Sequence, residues 1–231
     1  MRCGLFGKLS AKRDFIALAT PRTFLEVWEP WMQSCLSASQ YQLGSRWQAS
    51  YLTAPLWRFW LGADLSGATT LGVFMPSVDG IGRYYPLTLM TVADPSFSIP
   101  PPELNAQESW FSTVEDFLLS TLNQDQPFEQ ITPTLDTLPV PEVESTVSGS
   151  DAILRLGDTS AGIVAAGTSL QEALAKVRRN NHATSAAAGF WWTEGGGDFP
   201  PMALASRGLL DPFSYATMLT GKLSVKTADV T

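Results

Sequence analysis

The sequence predicts an α/β fold in which a sheet is covered by helices on both faces, and three observations carry that reading. Residues 56–61, 71–75 and 84–92 form short, near-continuous apolar runs, the pattern of strands buried on both sides rather than on one. Apolar residues also recur at helical spacing before this block and after it, so amphipathic helices flank the strands. Finally, 231 residues that are 45% hydrophobic and 11% aromatic can bury a sizeable core, and residues 1–231 read as a single domain.

Taken in order, residues 5–9 form a short mixed segment, an edge strand or a tucked arm. Thr20 and Pro21 read as an N-cap followed by proline at the first helical position. Behind them Phe24, Leu25, Trp28, Trp31, Met32, Cys35 and Leu36 share one helix face, and Pro30 is expected to kink or divide that helix. A loop and a short helical turn ending near Tyr51 follow. Runs 56–61 and 71–75 make a hairpin around Asp64, Leu65, Ser66 and Gly67, and a polar, glycine-containing bend after Pro76 leads into the strand at 84–92.

The proline run at 100–102 predicts an exposed, stiff connection. Next, Trp110, Phe111, Val114, Phe117, Leu118 and Leu122 define the core face of a helix, with Glu108, Glu115, Asp116 and Asp125 on its other sides. Residues 127–151, with Pro133, Pro139 and Pro141, read as a flexible internal loop. A short apolar run at 152–156 and a helix over 169–179 follow. Residues 186–193 form another buried strand, 200–205 its hairpin partner, and Asp211-Pro212 opens a last short helix.

The net charge of −7 argues against nucleic acid as a partner, because phosphate binding requires a cationic footprint. Its distribution is more informative. No Lys or Arg lies between Arg83 and Arg155, whereas that interval holds eleven of the 22 acidic residues, so the middle of the chain can present an acidic face to a basic partner. No run reaches the roughly 18 apolar residues of a membrane span. Lys8, Lys12 and Arg13 interrupt any signal-like apolar stretch near the start. Cys3 and Cys35 lack metal or redox spacing, which fits a reducing compartment, and a cytoplasmic protein is expected.

The candidates for chemistry are sparse. Ser77, Asp79 and the single histidine, His182, would be the parts of a hydrolytic triad, but Ser77 has no Gly-x-Ser-x-Gly elbow around it. Neither Gly80-Ile81-Gly82 nor Gly195–Gly197 is followed by the Lys-Ser/Thr pair of a phosphate loop, so both read as turns. No metal-ligand pattern and no cofactor motif is present. Arg58 and Arg83 stand in apolar, aromatic surroundings where a charge requires a partner, and Asp79 is the nearest candidate.

Several ordered motifs together resemble the TagF family of type VI secretion accessory proteins. They are Gly4-Leu5-Phe6-Gly7-Lys8-Leu9 with Arg13-Asp14-Phe15, and Ala54-Pro55-Leu56-Trp57-Arg58-Phe59. Gly72-Val73-Phe74-Met75-Pro76-Ser77-Val78-Asp79 follows, with Gly82-Arg83-Tyr84-Tyr85-Pro86-Leu87-Thr88, and then Phe190-Trp191-Trp192-Thr193-Glu194-Gly195. The resemblance implies a three-layer αβα sandwich with a central mixed β-sheet. It also implies a bacterial, non-enzymatic, post-translational repressor of type VI secretion that works by protein–protein binding. A forkhead-associated scaffold is the partner in some systems of this family. The phosphatase fused to the family domain in some bacteria is not carried over, since no segment of that length is seen. On this reading Ser77, Asp79, Arg83, Trp192 and Glu194 are the partner-binding candidates, and Arg58, Gly82 and Pro86 belong to the structural motif. The competing expectation is a small-molecule or nucleotide-binding enzyme that uses the 76–86 loop.

Overall fold

A computed structural model of the chain describes residues 1–123, 127–145, 154–155, 161–162, 169 and 185–223. In chain order the strands are β1 (Cys3–Gly7), β2 (Ile16–Leu18), β3 (Trp57–Leu61), β4 (Thr70–Met75) and β5 (Leu87–Val92), then β6 (Phe97–Ser98), β7 (Glu144–Ser145), β8 (Leu154–Arg155), β9 (Ala161–Gly162), β10 (Ala188–Thr193) and β11 (Met202–Arg207). The helices are α1 (Arg22–Leu43), α2 (Trp47–Leu52), α3 (Ala63–Ser66), α4 (Glu108–Ser120), α5 (Phe128–Asp136) and α6 (Tyr215–Thr220).

One seven-stranded sheet, ordered β11-β10-β3-β4-β5-β1-β2, forms the middle layer. The layered architecture is the expected one, but every ladder in this sheet is antiparallel, where a mixed sheet was expected. Tight reversals such as the single turn of α3, closed by Gly67 at φ 82°, join neighbouring strands, and a parallel pair would instead need a crossover of a dozen or more residues. β1 is no edge strand either, since it lies between β5 and β2.

Strand alternation sorts the core into two halves. Phe6, Trp57, Phe59, Leu61, Phe74, Met90 and Trp191 meet α1, α2 and α6 on one face. Leu5, Trp60, Leu71, Val73, Leu87 and Leu89 meet α4 and α5 on the other. Trp28 is fully buried in the first half, stacked on Phe59 with ring centroids 4.4 Å apart, and its indole N–H donates to Thr88 Oγ1 at 3.2 Å. The ring of Phe59 lies over Gly72, where a Cβ would collide with it. Cys3 and Cys35 are free, buried and in opposite halves of the core.

Five local expectations change. α1 runs unbroken through Pro30, because Pro30 and Glu26 lie on the exposed side, where a carbonyl without its helical donor is open to water. The 99–101 stretch is buried rather than exposed, and the Ile99 carbonyl accepts the Trp60 indole N–H at 3.0 Å. Within the expected loop at 127–151, residues 128–136 form α5, whose Ile131 and Leu135 fill the second core. Leu122 falls outside the buried stripe of α4 and is exposed. The fifth strand starts at Leu87, not Tyr84, because Pro86 has no N–H for the ladder. The helix expected at 169–179 and His182 lie outside the described residues, apart from Ser169.

Trp28→Ala removes a fully enclosed ring and one buried hydrogen bond, so it is expected to destabilise the fold by about 3–5 kcal/mol, read from the urea unfolding midpoint.

Candidate functional site

The bend between β4 and β5 is held from inside by one carboxylate. Asp79 Oδ2 accepts from Lys8 Nζ at 2.6 Å and Arg83 Nε at 2.7 Å, while Oδ1 accepts the backbone N–H groups of Ile81 at 3.1 Å and Arg83 at 2.9 Å. The Asp79 side chain has no exposure at all. Burial by itself raises its pKa. The hydrogen bonds from Lys8, from the Arg83 backbone and side chain and from the Ile81 backbone outweigh that, and they hold the carboxyl well below the ordinary range. Gly82 takes φ 88° to complete the turn, which is why glycine stands there.

Ser77 is equally committed. Its hydroxyl donates to the Lys8 carbonyl at 2.7 Å, its N–H donates to Tyr51 Oη at 3.0 Å, and its carbonyl accepts from that same phenol at 3.0 Å. The bend is thereby fastened to the arm after β1, where Gly80 N–H donates to the Lys12 carbonyl at 3.1 Å and Arg83 Nη2 donates to the Arg13 carbonyl. Among the described residues the Ser77 hydroxyl is bonded to a backbone carbonyl and not to a base, and Asp79 has no proton to give at neutral pH. Arg83 is the member that reaches solvent, with its side chain half exposed.

A second charged cluster forms on the opposite side of the expected pairing. Arg58 alternates with Trp57 and Phe59, so it points to the α4 layer, where Asp79 does not lie. Its guanidinium forks onto Glu115, with Nε to Oε1 at 2.6 Å and Nη2 to Oε2 at 3.1 Å, and Nη1 reaches Glu108 at 2.9 Å and Glu194 at 3.4 Å. The Phe111 ring lies under it at 4.7 Å and meets Trp192 edge-on at 5.3 Å. Burial lowers the Arg58 pKa, and the hydrogen bonds and charges of Glu115 and Glu108 more than reverse this, so the guanidinium is held above its usual value.

The TagF N-terminal domain, type VI secretion system-associated, matches residues 4–138, more than half of the chain. The chain belongs to the TagF family. It is therefore a type VI secretion-associated protein. The crystal structure of PA0076 from Pseudomonas aeruginosa PAO1 is similar to it over 96% of both chains, at 30% sequence identity and a TM-score of 0.81. No curated protein matches the chain.

Among the family's motif residues, the structure brings Ser77, Asp79 and Arg83 together in one bend, with Gly82 and Pro86 shaping it. It brings Trp192 and Glu194 to Arg58, since Trp192 pairs with Arg58 across the β3–β10 ladder. The candidates thus fall into two clusters. Ser77 and Asp79 are buried, so they hold the bend, and Arg83, Trp192 and Glu194 have surface to offer. Sequence reasoning missed Lys8, Tyr51, Glu108 and Glu115 as partners. Lys8 did carry a signal, a lone cation inside an apolar strand segment, and so did Glu108 and Glu115, spaced seven apart around Phe111 on one helix flank. Among the described residues no group of three His, Cys, Asp or Glu side chains is arranged to hold a metal ion, and no helix is long and apolar enough to cross a membrane.

Asp79→Asn leaves Lys8 buried without a countercharge and is expected to destabilise the fold by about 3–5 kcal/mol. Because the folded carboxyl has the lower pKa, its contribution is complete above the unfolded value of about 3.9 and is lost as pH falls through the folded one. Urea midpoints measured between neutral and strongly acid pH are expected to fall more steeply below about pH 4 in the parent chain than in the Asn variant. Arg58→Lys keeps the charge but loses the fork onto Glu115, with an expected loss of about 1.5–3 kcal/mol in the same measurement.

Proposed function

We propose that this chain is a non-enzymatic, post-translational repressor of type VI secretion that acts in the cytoplasm by binding a protein of the secretion apparatus. The partner in this reading is a forkhead-associated scaffold protein, held in a form that cannot support assembly. Membership of a type VI secretion-associated family sets the context. The observation that carries the choice of binding over catalysis is the saturation of the bend: the Ser77 hydroxyl and all the acceptor positions used by Asp79 are spent on the fold itself. Groups so engaged are poor nucleophiles and bases, because reaction would require breaking the contacts that order the loop.

In this reading Arg83, Trp192 and Glu194 contact the partner, and Ser77, Asp79, Arg58, Gly82 and Pro86 fix the backbone behind them. Arg83 suits the role, since Asp79 pins its Nε and leaves the half-exposed side chain little freedom to lose on docking.

Overproduction in a type VI-competent bacterium is expected to suppress secretion into the medium while the amounts of the apparatus proteins stay constant. Unchanged secretion, or a fall in apparatus abundance, overturns the proposal. With purified forkhead-associated protein, Arg83→Ala combined with Trp192→Ala is expected to weaken capture about tenfold or more under conditions where the unfolding midpoint, measured alongside and expected to fall, shows both chains still folded.

A further inference from the structure

A groove of about 300 Å3 lies between the end of α2, the exit from β4 and the end of α4, and of the two clusters only Ser77 touches it. Its apolar lining comes chiefly from Leu52, Leu56, Pro76, Val78, Leu119 and Leu122. Leu52 is 53% exposed, Leu119 46% and Leu122 51%. Single exposed leucines are ordinary, but three that converge on one apolar groove from α2, from α4 and from the turn after α4 are not what burial alone would leave. The buried stripe of α4 is complete without them, being made of Trp110, Phe111, Val114, Phe117 and Leu118.

The charge beside the groove specifies the partner. The layer that contains α4 and α5 derives wholly from the interval without Lys or Arg, so its ionised groups are carboxylates. Asp116 is exposed one turn before Leu119 on α4, and Glu129 and Asp136 are carried by α5. Among the described residues two cations reach this layer from outside: Arg58, whose guanidinium is taken up by Glu108 and Glu115, and Lys12, whose ammonium sits over the Phe128 ring at 4.1 Å. An anionic membrane surface would be repelled by such a face, and an acidic peptide likewise.

We infer that this groove receives an amphipathic basic segment of a partner protein, with an apolar side chain seated among Leu52, Leu119 and Leu122 and its Lys or Arg residues lying toward Asp116 on α4. This deepens the reading of the chain as a protein-binding regulator and rests on it. The apolar anchor supplies affinity by leaving water, and the carboxylates set the orientation and speed the encounter.

The test uses the full chain and three fluorescein-labelled synthetic peptides, followed by anisotropy: one with Leu at helical spacing among Lys, one with Leu among Glu, and one with Ser in place of every Leu among Lys. The Leu/Lys peptide is expected to bind, to weaken about tenfold or more in the Leu119→Asn, Leu122→Asn double variant, to weaken less in Asp116→Asn, and to weaken with added salt. Both leucines are exposed, so the double variant is expected to keep its unfolding midpoint, which is measured alongside. The inference is overturned by absence of binding or by equal binding of the Leu/Glu peptide. Equal binding of the Ser/Lys peptide overturns it as adventitious charge attraction, and undiminished binding by the double variant overturns it outright. Self-association of the parent chain that the double variant abolishes overturns it in favour of a second copy. Capture of purified forkhead-associated protein is measured in parallel. Capture that survives in the double variant overturns the groove and leaves the regulator reading standing, whereas failure of capture by the parent chain overturns the regulator reading.

Discussion

A sheet covered on both faces has to neutralise any charge it contains in place, and that constraint shapes this protein more than any single contact. Among the described residues the buried charged side chains are Lys8, Arg58 and Asp79. Each belongs to a pair or network whose members come from distant parts of the chain: Lys8 and Asp79 join the first strand to the β4–β5 bend, and Arg58 joins the third strand to α4 and to the turn after β10. A buried ion pair adds little net stability against an apolar replacement, but removing one partner is severe, so such pairs act as specifiers of which segments meet.

That role explains why the groups of the bend that look most reactive are engaged by the fold. Carboxylate, hydroxyl and guanidinium are all present within a few residues, yet each is engaged in ordering the backbone or tying the β1 arm to the sheet, and of the three the guanidinium also reaches solvent. What remains at the surface is a half-exposed arginine at the bend, an exposed glutamate beside Trp192, and an apolar groove with Asp116 one turn away on α4. The two halves of the core share this logic with the tryptophans. The indole N–H groups of Trp31, Trp57 and Trp110 donate to the carbonyls of Leu210, Met218 and Pro139, so each ring that fills the core also secures a returning segment.

Much of the fold was legible because burial on both faces leaves a plain mark. The apolar runs at β3 and β4, the stripe of α1 and the Asp211 cap, whose Oδ1 accepts the Phe213 N–H at 2.9 Å, all follow from local rules. Local rules failed where proline was given too much weight. Pro30 sits on the wet side of α1 and Pro133 within α5, and in both helices tertiary burial of the opposite face outweighs the lost hydrogen bond. They failed again at Leu122, whose spacing fits the α4 stripe although the helix ends at Ser120, which leaves this leucine outside the core and beside the groove.

The sequence by itself determined the class of the fold, the strands and the principal helices, the acidic middle of the chain and the family to which it belongs, since periodicity, composition and ordered motifs are properties of the chain before it folds. Only the tertiary structure decided the pairing of charges. Asp79 is close to Arg58 in number, but strand alternation aims Arg58 at the other layer, where it meets Glu108, Glu115 and Glu194, while Asp79 meets Lys8 from 71 residues away. Sequence separation carries no information about which face a side chain leaves the sheet by once segments far apart are brought into register. The antiparallel order of the seven strands supplies that information, and with it the partners that hold the bend.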